Sequence, residues 1–307
     1  MQANRTTVRS LTLLTALLGL SPAAPAAAAD DDSAQVTEVA VAEVEEPEAD
    51  ASRWSGTLQS DFTNAYFFRG IKNERNSFIW QPWAELFLNL YSSDDGLLRD
   101  ASVGMGVWNS VHEDKTAAEH SPEALYETDW YPMLSLGFAG GVTLDTYYYF
   151  YTSPNGAWDT VQELNFKLSW DDSDYLKAFP LQPWINFAVE TDRTSMGNDK
   201  GVGIQMGIEP TIFELDNKSV PVTLSTPIEL GLSATDYYEG DDGNSPTFGY
   251  LSYGLTATMP LKFIDPSWGK ISWILSAKGL YLENTLAEVN NNDDNYGVVM
   301  SSLSFEF

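Results

Sequence analysis

The sequence predicts an all-β fold: a transmembrane, antiparallel, up-and-down β-barrel of about twelve strands. The first observation is the last segment, Tyr296–Phe307, which alternates apolar and polar residues up to its final aromatic residue. Successive side chains of a strand point to opposite faces, so this segment has one apolar face and one polar face. An apolar strand exposed at the edge of a soluble sheet would aggregate, whereas a strand that closes a barrel can face lipid.

Strand length and aromatic content are the second and third observations. The alternating runs are roughly ten to sixteen residues long, whereas strands of soluble proteins average about five or six and tilted membrane strands need about nine to eleven. Aromatic residues make up 13% of the chain, with ten Trp, which suits rings at the two membrane interfaces. A soluble sandwich with its apolar faces inside is the alternative that strand length disfavours.

The chain begins with the features of an export signal. Arg5 and Arg9 precede an apolar stretch at 11–20, and three Ala at 27–29 form a small-residue cleavage site. We interpret 1–29 as a signal peptide. Residues 30–53 are rich in carboxylates and lack aromatic residues, so we interpret them as a disordered acidic periplasmic segment. The barrel is then expected at 54–307, in the outer membrane of a Gram-negative bacterium.

Composition excludes several classes of function. The formal net charge of −28 argues against binding to nucleic acid. The chain has no cysteine, which excludes disulfides and thiolate metal sites. The acidic stretches at 239–243 and 293–294 lack the spacing of a calcium-binding EF-hand loop, so no metal site and no cofactor are expected.

Twelve strands are predicted in chain order. Their spans are 55–68, 78–92, 99–111, 129–140, 142–153, 159–171, 180–192, 201–214, 220–236, 247–262, 270–284 and 296–307. Short turns at 93–96, 140–141 and 216–218 alternate with longer polar connections at 112–128, 191–200, 238–246 and 284–295. A short loop is predicted at 71–76. An even number of strands places both termini on the short-turn side, which we interpret as periplasmic.

Several short motifs resemble those of a known family. They are Ser-Asp-Phe at 60–62, Tyr-Phe-Phe-Arg-Gly-Ile at 66–71, Gln-Pro at 81–82, Tyr-Phe-Tyr-Thr-Ser-Pro-Asn-Gly at 149–156, Gln-Glu-Leu at 162–164 and Trp-Asp-Asp at 170–172. Together they resemble the TorF-type family of bacterial outer-membrane porins. Residues 63–67 lie between Ser-Asp-Phe and Phe-Arg-Gly here, whereas in the family the first runs almost directly into the second. The resemblance implies a barrel and a pore, and it implies nothing about the solute.

The polar parity of the strands supplies a predicted pore-lining set. It comprises Asp61, Arg69, Glu85, Asp145, Glu163, Lys167, Glu190, Glu209, Glu229, Lys262 and Lys278. Acids outnumber bases in this set, which favours cations in an open pore. The alternative is that these charges pair across strands and fill a narrow barrel. Arg69, beside Gly70 at the end of the first strand, is expected to pair with a carboxylate such as Asp61 or Glu85.

The sequence therefore predicts a porin-like channel for passive diffusion of small hydrophilic solutes, with a weak preference for cations. The expected partners are outer-membrane lipid, lipopolysaccharide and, through Tyr296–Phe307, the barrel-assembly machinery. A non-conducting structural barrel and a barrel hydrolase are the alternatives. Hydrolysis would need His112 or His120, which are both expected as solvated loop residues, with Ser110 or Ser121 as nucleophile. No catalytic residue is assigned.

Overall fold

The computed structural model describes residues 53–197, 199–240 and 242–307. In this part of the chain, twelve antiparallel strands form a closed barrel in which each strand pairs with its neighbours in sequence. The predicted signal peptide at 1–29 and the acidic segment at 30–53, apart from Arg53, lie outside the described residues. No helix in the described ranges is long and apolar enough to cross a membrane.

The twelve barrel strands comprise fourteen segments. They are β1 (Trp54–Phe68), β2 (Ile71–Ser92), β3 (Leu98–His112), β4 (Leu125–Phe138), β5 (Val142–Thr152), β6 (Val161–Trp170), β7 (Trp184–Asp192), β8 (Val202–Ile208), β9 (Thr211–Leu215), β10 (Val222–Ser225), β11 (Ile228–Thr235), β12 (Phe248–Pro260), β13 (Lys270–Leu282) and β14 (Asn295–Glu306). A 3-10 helix at Pro266–Trp268 precedes β13, and helix α1 (Asn284–Val289) precedes β14.

Proline explains why two barrel strands are divided. Pro210 separates β8 from β9, and Pro227 separates β10 from β11. Proline has no N–H to donate to a ladder, so the pairing is interrupted where it occurs. Each divided pair still corresponds to one strand of the predicted set.

The first and last strands close the barrel. β1 pairs with β14 from Thr57 opposite Glu306 to Thr63 opposite Met300. Below that ladder, the amide of Phe307 donates to the carbonyl of Gly56 at 3.1 Å, and the amide of Gly56 donates to the carbonyl of Phe307 at 3.0 Å. Both described ends therefore lie at one end of the barrel, here named the terminal end. The connections after β1, β3, β5, β7, β11 and β13 lie at the opposite end, here named the loop end.

The barrel is apolar outside and polar inside. Exposed apolar side chains include Leu58, Phe62, Leu86, Val103, Met105, Leu134, Phe166, Leu168, Phe187, Leu255, Leu275, Val299 and Leu303. Buried polar side chains include Asp61, Glu85, Asp145, Glu163, Asn165, Asn186, Glu190, Gln205 and Ser302. Lipid-facing and lumen-facing residues alternate in this way in transmembrane barrels, and the predicted fold class is confirmed.

Two connections differ from the prediction. Residues 71–76 are not a loop: β2 begins at Ile71, and the turn consists of Arg69 and Gly70, whose φ angles are 48° and 90°. The connection from β6 to β7 is longer than expected because β7 begins at Trp184. Asp172 organises this connection, since its carboxylate accepts the backbone amides at positions 181 and 182.

The connection between β13 and β14 is also more than a polar loop. It contains α1, whose first turn is capped by the carboxylate of Glu283 accepting from the amide of Thr285 at 2.7 Å. Leu286 and Ala287 of this helix are buried. The helix thus turns an apolar side towards the loop end of the barrel.

Candidate functional site

The tip of the β1–β2 hairpin leaves the barrel wall. β1 pairs with β14 only as far as Thr63, and β2 pairs with β3 only from Ile79, which lies opposite His112. Residues 64–78 are here named the plug hairpin. Within it, residues 65–68 pair with residues 71–75, and no described strand ladder joins this pair to β3 or β14. A register shift after Thr63 marks the point where this hairpin departs from the wall.

Ring contacts show that the plug hairpin lies inside the lumen. Tyr66 lies 5.3 Å from the ring of Trp108 on β3, and Phe68 lies 5.1 Å from the ring of Tyr151 on β5. On the other side of the hairpin, Phe67 lies 4.7 Å from the ring of Tyr296 on β14. One short hairpin touches strands far apart in the wall, which requires it to lie between them.

Arg69 at the hairpin tip bonds to the opposite wall. Its Nη1 donates to Oε2 of Glu163 on β6 at 2.6 Å, and its Nη2 donates to Asn165 at 3.1 Å. Glu163 also accepts from Asn165 at 2.6 Å, from Tyr237 at 2.9 Å and from Tyr151 at 3.1 Å. The carboxylate of Glu163 is inaccessible to solvent. Both oxygens of this buried carboxylate are hydrogen-bonded, which is the condition under which a buried ion pair is stable.

The prediction that Arg69 pairs with Asp61 or Glu85 is wrong. Asp61 and Glu85 lie on β1 and β2, near Arg69 in sequence, but the plug hairpin carries the guanidinium across the lumen to β6. Asp61 instead accepts from Gln59 at 2.7 Å and from Trp83 at 3.2 Å. The polar network continues from Asn165 through Asn186 on β7 to Gln205 on β8.

A hydrophobic cluster covers the hairpin tip at the loop end. It comprises Ala188, Tyr237, Tyr238, Tyr250, Leu280, Leu282, Leu286 and Tyr296. A Cβ added to Gly70 would lie 2.9 Å from Leu286 and 3.2 Å from Tyr250, so the turn fits only glycine there. Asn290 fixes the turn by donating to the carbonyl of Gly70 at 2.7 Å and accepting from the amide of Lys72 at 2.8 Å. The hairpin tip is therefore fixed and packed against buried side chains at this end of the lumen.

A group of ionisable residues lies below the plug. Asp145 on β5 and Lys167 on β6 are opposite each other in the ladder. Glu85 on β2 accepts from the hydroxyl of Tyr131 at 3.1 Å. Oδ2 of Asp145 finds no hydrogen-bond partner among the described residues, although it is buried. The same holds for Oε2 of Glu127, Oδ1 of Asp129 and Nε2 of Gln205.

Tyrosine rings line one side of this space. The ring centroids of Tyr131 and Tyr149 lie 4.7 Å apart in a tilted pair, whereas Tyr149 stacks with Tyr147 at 5.7 Å and with Tyr151 at 5.1 Å. The inward parity of Tyr147, Tyr149 and Tyr151 follows from their alternation with Phe150, which is exposed. Alternation thus places these rings correctly.

The remaining members of the predicted pore-lining set lie at different heights along the barrel axis. Glu190 on β7 is bound by the backbone amides of Ser195 and Gly201, which makes it part of the loop end. Glu209, at the break between β8 and β9, accepts from Ser225 at 2.8 Å. Glu229 on β11 accepts from Tyr250.

Two predicted lysines differ in position. Lys278 on β13 is half-buried and shares the parity of the buried Ser272. Lys262 is the second residue after the end of β12 and is exposed. It therefore lies at the rim of the terminal end rather than among the buried lumen residues.

The prediction that His112 is a solvated loop residue is wrong. His112 is the last residue of β3 and is completely buried. Its Nε2 lies 2.8 Å from Oγ of Ser110, and its Nδ1 lies 2.7 Å from Oγ1 of Thr116, which in turn donates to Glu74 of the plug hairpin. Ser110 and His112 share the inward parity of β3, which is the signal in the sequence that could have placed both inside the barrel.

His120 is exposed, as expected. Within the described ranges, no group of three or more His, Asp or Glu side chains is arranged to hold a metal ion.

Fold and site together define a transmembrane β-barrel with a polar lumen and an internal plug. No protein-family model matches the chain, and no curated protein matches it. Similar solved structures include an outer-membrane channel from Pseudomonas putida F1, with 9% identity, 83% of this chain and 94% of that chain covered, and a TM-score of 0.43.

Two further barrels illustrate the range of these similarities. The β-domain of the Bordetella autotransporter BrkA is 9% identical, with 82% of this chain and 98% of that chain covered and a TM-score of 0.39. The NanC porin is 12% identical, with 82% of this chain and all (100%) of that chain covered and a TM-score of 0.38. Such distant similarities carry no argument about activity.

Proposed function

We propose that the chain is a channel of the bacterial outer membrane that passes small hydrophilic solutes by passive diffusion and weakly prefers cations. The observation that carries this proposal is the polar lumen, in which single buried atoms of Asp145 and Gln205 have no hydrogen-bond partner among the described residues. Buried polar atoms are almost always hydrogen-bonded, so these atoms require water or a solute. A hydrated interior is what a diffusion channel needs and what a fully packed structural barrel would avoid.

Charge supports the preference for cations. The carboxylates of Asp61, Glu85 and Asp145 lie on the lumen side of the wall, and Lys167 and Lys278 are the nearby bases of the predicted set. Rings of carboxylates favour cations in pores. The excess is small, so the selectivity is weak.

The plug hairpin implies that the channel is gated. With Arg69 held by Glu163, the loop end is closed, and conduction requires the hairpin tip to move away from β6. The motif at 66–71 that carries the resemblance to the TorF-type porins contains this tip, so the resemblance supports a role for the plug in the channel.

The apolar outer surface and the predicted signal peptide support location in the outer membrane. We further propose lipopolysaccharide as a partner of the loop end and the barrel-assembly machinery as a partner of Tyr296–Phe307. The last segment is β14 in the structure, and its exposed Val299 and Leu303 form part of the outer surface.

Single-channel recording tests the proposal. The protein without its predicted signal peptide is refolded and inserted into a planar bilayer, and the reversal potential is measured under a KCl gradient. We expect stable conductance steps and a reversal potential of the cation-selective sign. Anion selectivity would contradict the assignment of Glu85 and Asp145 to the conducting path. Absence of steps from folded, inserted protein would favour a non-conducting structural barrel, closed permanently by the plug.

A barrel hydrolase is the second candidate, and one observation favours it: the hydrogen bond between Ser110 and His112. A serine beside a histidine that is itself oriented by another group is the arrangement of an activated nucleophile. Both side chains are completely buried, which opposes access of a substrate. Labelling with a fluorophosphonate probe distinguishes the hydrolase from the channel. A label on Ser110 that is lost in His112→Ala would support hydrolysis. Exposed Ser121 serves as the control position.

A further inference from the structure

The lumen wall below the plug hairpin carries a polar row that runs across four neighbouring strands in register. Asp145 on β5 lies opposite Lys167 on β6. Lys167 in turn lies opposite Asn186 on β7, and Asn186 lies opposite Gln205 on β8. We propose that this row binds a zwitterionic solute of the amino-acid class, with the carboxylate of the solute on Lys167 and Gln205 and its ammonium group on Asp145.

Asp145 and Lys167 carry opposite charges and face each other in the ladder, yet they form no ion pair. Directly opposite residues have Cβ atoms about 4.5–5.5 Å apart, so an ion pair is within reach of the two side chains. Instead, Nζ of Lys167 lies over the ring of Trp184, 5.2 Å from its centroid. No salt bridge within the described ranges includes Lys167, and Oδ2 of the buried Asp145 has no hydrogen-bond partner there. Both charges are therefore available to a ligand.

Gln205 adds a donor to the same row. Its Oε1 accepts from Asn186 at 2.8 Å, whereas its Nε2 is buried and has no acceptor among the described residues. Asn186 also donates to Asn165 at 2.7 Å, and these two bonds fix the orientation of its amide. A buried N–H group without an acceptor is costly. A carboxylate that accepts from both Gln205 and Lys167 removes that cost.

The charges around Lys167 favour a ligand whose net charge is zero. The carboxylates that act most strongly on its ammonium group belong to Asp145, Glu229 and Glu85. A simple anion bound to Lys167 would be repelled by these carboxylates, and a simple cation bound to Asp145 would be repelled by Lys167. An uncharged sugar would leave both protein charges without a counter-charge. A zwitterion places each of its charges against the opposite charge of the wall.

The row borders space that a small solute can enter. Lys167 and Tyr147 point inward but are only half-buried, so molecules of the size of water reach them. Lys167 follows Glu163 by four positions, about 13 Å along the strand, towards the terminal end. A solute that enters from the terminal end therefore meets this row before it meets the contact between Arg69 and Glu163. The inference rests on the proposed function, because it names the class of solute that the lumen admits.

Ligand binding tests the inference without conduction. The refolded protein in detergent micelles is titrated with L-alanine, propionate and ethylamine, and the dissociation constants are measured by saturation-transfer difference NMR. L-Alanine carries both charges, whereas propionate and ethylamine each carry one. We expect L-alanine to bind about tenfold more tightly than either of them. Equal affinity for the three ligands, equal affinity for glucose, or no binding of L-alanine would overturn the inference.

The outcome is independent of the test of the proposed function. Stable conductance steps together with no binding of L-alanine would reject the site and leave the channel standing. Binding of L-alanine without conductance steps would support the site and reject the channel.

Two variants of similar shape assign the charges. Lys167→Met should weaken binding of L-alanine and propionate about tenfold and leave ethylamine bound at least as tightly. Asp145→Asn should weaken L-alanine and ethylamine and leave propionate bound at least as tightly. Lys218→Met and Asp216→Asn, in the exposed turn between β9 and β10, are the matched controls and should change none of the three affinities. A parallel loss of all three ligands in Lys167→Met or Asp145→Asn would contradict the assignment, because it would show damage to the lumen rather than loss of one charge.

Discussion

Nη1 of Arg69 lies 2.6 Å from Oε2 of Glu163, although 94 positions separate the two residues in the chain. The contact spans the lumen, from a hairpin tip to the sixth strand. It fixes the guanidinium at the tip against a carboxylate that is inaccessible to solvent. The stability of the plug therefore depends on this pair more than on any surface charge.

Arg69→Ala is expected to loosen the plug. Loss of one partner leaves Glu163 charged and buried, and breaking such a pair costs about 3–5 kcal/mol. Conductance steps should become larger or more frequent in planar bilayers. Lys270→Ala is the matched control: its exposed pair with Glu306, at 3.0 Å, should contribute about 0–1 kcal/mol.

A double variant tests the contribution of the Arg69–Glu163 ion pair separately from that of the rest of the plug hairpin. Arg69→Met with Glu163→Leu removes both charges, and replacement of a buried pair by apolar residues is often neutral. We expect this double variant to unfold in urea between wild type and Arg69→Ala, because no charge is left unpaired but Asn165, Tyr151 and Tyr237 lose the acceptor that Glu163 provides. Equal loss of stability in the single and double variants would contradict the role of the ion pair.

Gly70→Ala should destabilise the protein more than Gly96→Ala. The two glycines have nearly the same φ, 90° and 88°, so alanine meets a similar backbone strain of about 1–2 kcal/mol at each. At Gly70 the new Cβ also meets the buried Leu286 and Tyr250, whereas at Gly96 it meets nothing within 4 Å. The difference between the two urea midpoints measures the cost of the steric clash at the hairpin tip. Equal midpoints would contradict the close packing around Gly70.

Gly106→Ala should disturb the tyrosine side of the lumen. A Cβ at Gly106 would lie 2.1 Å from the ring of Tyr131, whose hydroxyl donates to Glu85. Overpacking of this kind costs about 1–3 kcal/mol. Gly297→Ala is the control, because a Cβ there meets nothing within 4 Å. Near-ultraviolet circular dichroism should change for the first variant and not for the second.

Glu85→Gln should weaken the preference for cations in an open channel. It removes one buried lumen carboxylate and keeps the shape of the side chain. Glu288→Gln removes the same charge from an exposed position on α1 and should leave the reversal potential unchanged. A shift of equal size in both variants would show that net charge, rather than the lumen, sets selectivity.

The strands were predictable from sequence because alternation is a local property. The alternation of Tyr147, Tyr149 and Tyr151 with the exposed Phe150 is enough to place their rings on the inner side, because parity needs no tertiary contact. The plug was not predictable in the same way. Residues 71–76 are mostly polar and follow Gly70, which indicates a surface loop. Distant residues hold the neighbouring hairpin tip inside the barrel: Glu163 and Tyr237 bind Arg69, and Asn290 binds Gly70.

His112 illustrates the same limit at a single residue. Acidic neighbours at 113–114 indicated solvent, but the buried position depends on Tyr126, whose ring stacks on the imidazole at 4.5 Å, and on Glu74 beyond Thr116. Contacts between residues far apart in the chain determine both the position of the plug hairpin and the burial of His112. Local patterns in a single sequence do not reveal such contacts.

The pairing of β1 with β14 also determines the order of events during biosynthesis. β1 has no partner on one side until β14 has been made, and almost the whole described chain separates the two. Contacts between such distant segments form slowly. Until closure, the nascent sheet has two open edges, at which another chain could add a strand. The protein therefore needs protection of those edges from synthesis until the last strand has joined the first.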